Sequence, residues 1–73
     1  MADMEFKLAG EYIELFKLLK ATGCCESGGA AKHAIAGGQV LVNGAPETRK
    51  AFKVRAGHRV EFDGQAIQVR SDE

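Results

Sequence analysis

Gly38-Gln39-Val40-Leu41-Val42-Asn43-Gly44 is where the periodicity of the chain changes. Val40 and Val42 point one way and Gln39, Leu41 and Asn43 the other, a period of two that marks a half-buried strand. Asn43-Gly44 is a strong two-residue hairpin signal, because both positions tolerate positive φ. Pro46 lies just beyond and places its neighbours at a sheet edge, where a missing N–H does no harm. Thr48–Arg55 alternates loosely, with Phe52 and Val54 inward and Lys53 and Arg55 outward. Ala56-Gly57 turns the chain, and Val60 and Phe62 mark a strand. Asp63-Gly64 is a second hairpin signal, with Ile67 and Val69 on the returning strand.

Upstream of Gly38 the pattern is helical. Ser27 can cap the open amides of a first turn, and Ala30-Ala31-Lys32-His33-Ala34-Ile35-Ala36 follows it. Gly37-Gly38 stops the run, so a helix is predicted over 28–37. Ala31, Ala34 and Ile35 form a narrow stripe of small apolar side chains that permits close approach to another helix. Tyr12, Leu15, Phe16 and Leu19 recur at helical spacing, with Leu8 on the same face. Glu11 and Glu14 come early and Lys17 and Lys20 late, which complements the helix dipole. With Gly23 as a left-handed stop, a helix is predicted over 10–22. The first seven residues read as loose and the tail from Ser71 as frayed, leaving an ordered part of about 8–70. The expected fold class is α+β, two N-terminal helices packed on a small antiparallel sheet. Helices first and strands after argue against alternating βαβ units.

A chain of 73 residues holds one domain at most, expected here over 1–73. Hydrophobic residues make up 45% and charged ones 27%, the balance of a globular protein rather than a disordered one. The length leaves no room for two catalytic lobes, and no apolar run approaches the ~18 residues that cross a bilayer. The acidic start Met1-Ala2-Asp3-Met4-Glu5 has no apolar signal core, so a cytoplasmic location and no membrane contact are expected. Cys24 and Cys25 are neighbours, and a bridge between them would be strained. With His33 and His58 they lack the spacing of a zinc site, so reduced thiols, no metal and no cofactor are expected. Tyr12, Phe16, Phe52 and Phe62 are expected in the core, each contributing on the order of 1.5–3 kcal/mol. His58, in a turn before a strand, is expected to be structural or inert.

Net charge is zero, but its distribution is not. Residues 1–16 carry net −3, residues 17–59 net +6 and residues 60–73 net −3. Eight of the ten cations lie in the middle segment. Screening acts over roughly 8 Å at physiological salt, so a ligand on that segment would meet a basic surface. Such asymmetry points to a polyanionic partner.

The order of these motifs resembles the S4 RNA-binding domain. The resemblance spans Tyr12–Phe62. It rests on a leucine-rich first helix, on Ser27 with Ala31-Lys32 and Ile35 leading into Gly38-x-Val40-x-Val42-Asn43-Gly44, and on Val54-x-x-Gly57 before Val60-x-Phe62. Glu26-Ser27-Gly28 and Glu47-Thr48-Arg49-Lys50 are similar to segments of short stand-alone bacterial members. The resemblance implies an L-shaped αL motif, two helices and the following turn, whose basic surface binds structured RNA. Where ribosomal S4 domains usually place an arginine after the capping serine, this chain has Gly28 and Gly29. Side-chain phosphate contacts are therefore expected elsewhere, first from Arg49 and Lys50 and then from Lys53. Ser27 and the bare amide of Gly28 could accept an anion at the start of the second helix. Lys32 is a candidate phosphate contact and His33 a candidate stacking or hydrogen-bonding group.

The resulting expectation is a non-catalytic, monomeric, ribosome-associated protein that docks structured RNA of the ribosomal or transfer RNA class, without DNA specificity. No serine, cysteine or carboxylate stands in a motif implying a general base or oxyanion hole. The rival expectation is a protein-interaction module that recognises an acidic partner. A thiol switch at Cys24-Cys25 is a third.

Overall fold

The computed structural model describes residues 2–71. The chain runs β1 (Ala2–Leu8), β2 (Ile13–Glu14), α1 (Leu15–Ala21), α2 (Gly28–Ala36), β3 (Leu41–Val42), β4 (Ala45–Pro46), β5 (Lys53–Val54), β6 (Arg59–Phe62) and β7 (Gln65–Ser71). The α+β class and the two adjacent helices are as expected. The main sheet has the order β1-β7-β6-β3-β4, and β2 and β5 form a separate two-stranded ladder.

Both hairpin turns form where Asn-Gly and Asp-Gly stand. Asn43 and Gly44 have φ of 52° and 84°, and Asp63 and Gly64 have 52° and 77°. These paired positive angles match the right-handed twist of the flanking strands. Pro46 lies on β4, an edge strand of the sheet.

The second helix starts and stops as its sequence directs. Ser27 Oγ accepts a hydrogen bond from the Ala30 amide at 3.1 Å. Gly38 ends the helix with φ +76°. Its amide donates to the Ile35 carbonyl at 3.0 Å. Ala31, Ala34 and Ile35 are buried, and their small side chains let α2 pack closely on α1.

Three expectations near the N-terminus are overturned. The segment read as loose is β1, paired in parallel with β7 from Ala2↔Gln65 to Leu8↔Ser71. The sheet is thus antiparallel apart from this pair, and the elements do not begin with helices. Its alternation explains the strand: Leu8 is buried, Met4 and Phe6 pack half-buried on the core, and Asp3, Glu5 and Lys7 face solvent. Ser71, expected to fray, completes β7, while Asp72 and Glu73 lie outside the described residues.

The first helix begins at Leu15 rather than near residue 10. Ile13 and Glu14 are instead paired antiparallel with Val54 and Lys53. The amides of Leu15 and Phe16 donate to the carbonyls of Phe52 and Lys50, at 2.9 and 3.2 Å. Backbone donors left open at a helix start need partners, and the segment 50–54 supplies them where Glu14 offers no side-chain cap. Tyr12, expected inside, is left outside at 43% exposure. Leu15, Leu18 and Leu19 form the buried face of α1 with Ile35, Val54 and Ile67. Phe16, Phe52 and Phe62 are half-buried against this core. Among the described residues no helix is long and apolar enough to cross a membrane.

Candidate nucleic-acid interface

The junction between the start of α1 and the segment 50–54 organises the cations of the middle region. Phe16 and Leu15 are tied by their amides to Lys50 and Phe52, and Tyr12 stands just ahead of the β2–β5 ladder that these bonds continue. Each ring carries a cation. Lys32 Nζ lies 4.7 Å from the Phe16 ring centroid, reaching across from α2. Lys17 Nζ is 5.9 Å from the same ring. The Arg49 guanidinium is 5.2 Å from the Phe52 ring. Lys53 Nζ and Arg55 Cζ are 5.1 and 5.9 Å from the Tyr12 ring. Each such contact is worth about 0.5–1 kcal/mol at an exposed site. The larger consequence is geometric: long, flexible side chains are held beside fixed rings instead of sweeping through solvent.

The start of α2 reaches the same place. A Cβ added to Gly28 would meet Phe16 Cδ2 at 3.8 Å, an ordinary contact, so the helix N-terminus rests near this ring. Ser27, Gly28 and Lys32 therefore approach the ring whose own amide is bonded to Lys50. Ser27 Oγ is already engaged by the Ala30 amide. His33 is exposed on α2.

Acidic groups divide the cations into two sets. Arg59 pairs with Asp3 at 3.6 Å and with Glu61 at 3.8 Å, and Arg70 pairs with Glu5 at 2.8 Å. Asp3, Glu5 and Glu61 thus pair with arginines on β6 and β7. Lys17 is paired with Glu14 at 2.9 Å. Among the described residues, Lys7 on β1 and Lys20, Lys32, Lys50, Lys53 and Arg55 of the middle segment stand in no ion pair.

Arg49 belongs to neither set cleanly. Its Nε donates to Glu47 Oε2 at 2.9 Å, its second guanidinium nitrogen to Oε1 at 3.2 Å, and its backbone amide to Oε2 at 3.0 Å. The guanidinium bonds, then the amide, hold the Glu47 carboxyl below its ordinary value. Glu47 in turn makes the Arg49 guanidinium harder to deprotonate. Arg49 is the site residue of the sequence analysis whose charge is shared with a carboxylate.

His58 is structural, as expected: its Nδ1 accepts a hydrogen bond from the Arg55 amide at 2.8 Å, which shapes the turn behind Lys53 and Arg55. Its ring also lies 5.7 Å from that of Phe52. Both thiols are free. Cys24 Sγ lies 2.9 Å from Gln65 Oε1, and burial, followed by the nearby Cys24, pushes the Cys25 thiol up.

Sequence reading found the cations but placed all four aromatics indoors. It missed Tyr12, Phe16 and Phe52 as cation carriers and Arg55 as a neighbour of the Tyr12 ring. The available signal was the alternation that turns Lys53 and Arg55 outward; the pairing of residues 13 and 14 with 53 and 54 has no local signature.

Two short helices followed by the Asn43-Gly44 hairpin, joined to a sheet and lined by cations, form the αL arrangement of S4 domains. The family described as S4 domain matches residues 6–70, and the chain belongs to that family. The relatives include "Putative RNA-binding protein YbcJ" of Escherichia coli strain K12, 55% identical over 58 residues, which are 80% of this chain and 83% of that protein. "Uncharacterized protein YbcJ" of Shigella flexneri is similar to the same degree, 55% over 58 residues. The solution structure of YbcJ from E. coli, described as revealing an αL motif involved in RNA-binding, matches with a TM-score of 0.68 and 48% identity. That match covers 96% of this chain and 87% of the other.

Proposed function

We propose that this chain is a non-catalytic, cytoplasmic RNA-binding protein that docks structured RNA as a monomer. The cations beside Phe16, Phe52 and Tyr12 form its phosphate-binding surface. Lys32, Lys50 and Lys53 make the main contacts, with Arg49, Ser27, Gly28 and His33 at their margins. The observation that carries this reading is the convergence of two distant segments at Phe16. Lys32 lies over its ring, while Lys50 accepts its amide. A phosphate backbone carries regularly spaced charge, and fixed cations that displace its counterions gain affinity without reading bases. The names given to YbcJ and to its αL motif support RNA as the polyanion. Ribosomal and transfer RNA, and association with the ribosome, fit a surface suited to folded helices and phosphates.

The test is a gel shift with folded transfer RNA and ribosomal RNA fragments, repeated with Lys32→Ala, Lys50→Ala and Lys53→Ala together. Binding that disappears in the triple variant while circular dichroism stays native supports the reading. Binding that persists unchanged refutes this surface. A protein that shifts no RNA but captures an acidic protein partner would be an interaction module instead.

A further inference from the structure

Among the described residues, Tyr12 is the large hydrophobic side chain left outside, at 43% exposure. The reason is register. β2 and β5 pair Ile13 with Val54 and Glu14 with Lys53. Extending that ladder by one residue sets Tyr12 opposite Arg55. Successive side chains alternate between faces, so Val54 and Ile13 turn toward the core while Tyr12, Lys53 and Arg55 share the outer face with Glu14, which is paired with Lys17 at 2.9 Å. Val54 is fully buried and Ile13 packs against the same core. Lys53 and Arg55 lie 5.1 and 5.9 Å from the Tyr12 ring, and neither stands in an ion pair among the described residues. Phe16 and Phe52 also carry cations, but both are half-buried against the core. Tyr12 is the cation-bearing ring with surface to offer.

An exposed ring with two free cations beside it suits a ligand that has a flat π face and an anion within a few ångströms of it. A nucleotide is such a ligand. An acidic peptide would use the cations and leave the ring idle. We propose that Tyr12 stacks on one unpaired nucleobase of the bound RNA while Lys53 and Arg55 hold the phosphates that flank it. This rests on the RNA-binding reading and narrows it. A base inside a duplex has both faces covered by its neighbours, so the target is a folded RNA with an extruded nucleotide, in a bulge or loop, beside the phosphates held by Lys32 and Lys50. Stacking on an aromatic tolerates every base, so the site selects for an unpaired nucleotide and not for its identity.

The sequence supplies its own reporter, since Tyr12 is the one tyrosine and there is no tryptophan. Tyrosine fluorescence is followed while the protein is titrated with a fully paired RNA hairpin, then with the same hairpin carrying a single bulged adenosine. The bulged hairpin is expected to bind about tenfold more tightly and to quench the fluorescence. Tyr12→Phe is expected to keep the preference in a gel-shift assay and Tyr12→Ala to lose it. Equal affinity for the two hairpins, or binding of the bulged one without quenching, overturns the stacking site and leaves the phosphate surface standing. If neither hairpin binds at low salt, the RNA-binding reading fails and this inference falls with it. The wild-type titration decides the matter even if Tyr12→Ala does not fold.

Discussion

Lys32 and Phe16 are sixteen positions apart in the chain, yet Lys32 Nζ sits 4.7 Å from the Phe16 ring. This contact ties the polar face of α2 to the start of α1. The Phe16 amide then ties α1 to Lys50 at 3.2 Å. One half-buried ring thereby links the Lys32 ammonium to the backbone of the segment that carries Lys50. The cost of ordering a lysine side chain, up to about 2 kcal/mol, is partly met before any ligand arrives.

That arrangement predicts a salt dependence. With roughly four phosphates neutralised, the logarithm of the RNA association constant should fall with the logarithm of salt with a slope of about −3 to −4. Lys32→Ala and Lys50→Ala should each flatten the slope by about one, with melting temperatures close to the wild type. Filter binding across a salt series measures it. A slope near zero would show that affinity does not come from these phosphate contacts.

Glu47 should act as a brake on Arg49. Glu47→Gln removes the carboxylate at 2.9 Å from the guanidinium and frees the charge. RNA affinity should rise a few-fold, the range expected for releasing an exposed ion pair. Arg49→Ala should weaken binding less than Lys50→Ala does. The pairing also has a pH signature. The folded-state value of Glu47 is lowered, so the contribution of the pair is complete above the unfolded carboxylate value and is lost as pH falls through the lowered one. Side-chain NMR of Glu47 should therefore show a midpoint below that of a glutamate in an unstructured peptide, and Arg49→Ala should restore it.

The N-terminal strand should be structural. Leu8 is 3% exposed, and Phe6 packs half-buried on the core. Leu8→Ala should destabilise the protein by about 2–5 kcal/mol, and Phe6→Ala by less. Urea denaturation followed by circular dichroism reads both. Wild-type stability in Leu8→Ala would mean that β1 is not part of the cooperative core.

Two glycines should respond oppositely to alanine. Gly44 has φ +84° and open space around it, so Gly44→Ala carries only a backbone penalty of about 1–2 kcal/mol. Gly29 lies inside α2 with only Ser27 Oγ near, at 3.8 Å. Gly29→Ala should therefore stabilise by about 0.5–1 kcal/mol through helix propensity and a less flexible unfolded chain. Thermal melts of the two single variants separate the effects.

Local chemistry made part of this protein readable in one dimension. Asn43-Gly44 and Asp63-Gly64 took the positive φ angles their residue types favour, and Ser27 and Gly38 bounded α2 where their caps predicted. These features depend on neighbours a few positions apart, so sequence alone determined them, along with the α+β class and the concentration of cations between residues 17 and 59.

Tertiary structure decided what depends on distant partners. Leu8 and Tyr12 fit the periodicity of the first helix, but β7 drew Leu8 into a parallel strand and β5 drew Ile13 and Glu14 into a ladder. A parallel pair has no tight turn to announce it, because its strands must be joined by a long crossover. The two-residue ladder is too short to show a period. The second pairing put Tyr12 outside, and the packing of α2 on α1 brought Lys32 over Phe16. The cations were legible as residues; their placement beside Phe16, Phe52 and Tyr12 needs the packed helices and the backbone bonds between residues 15–16 and 50–52.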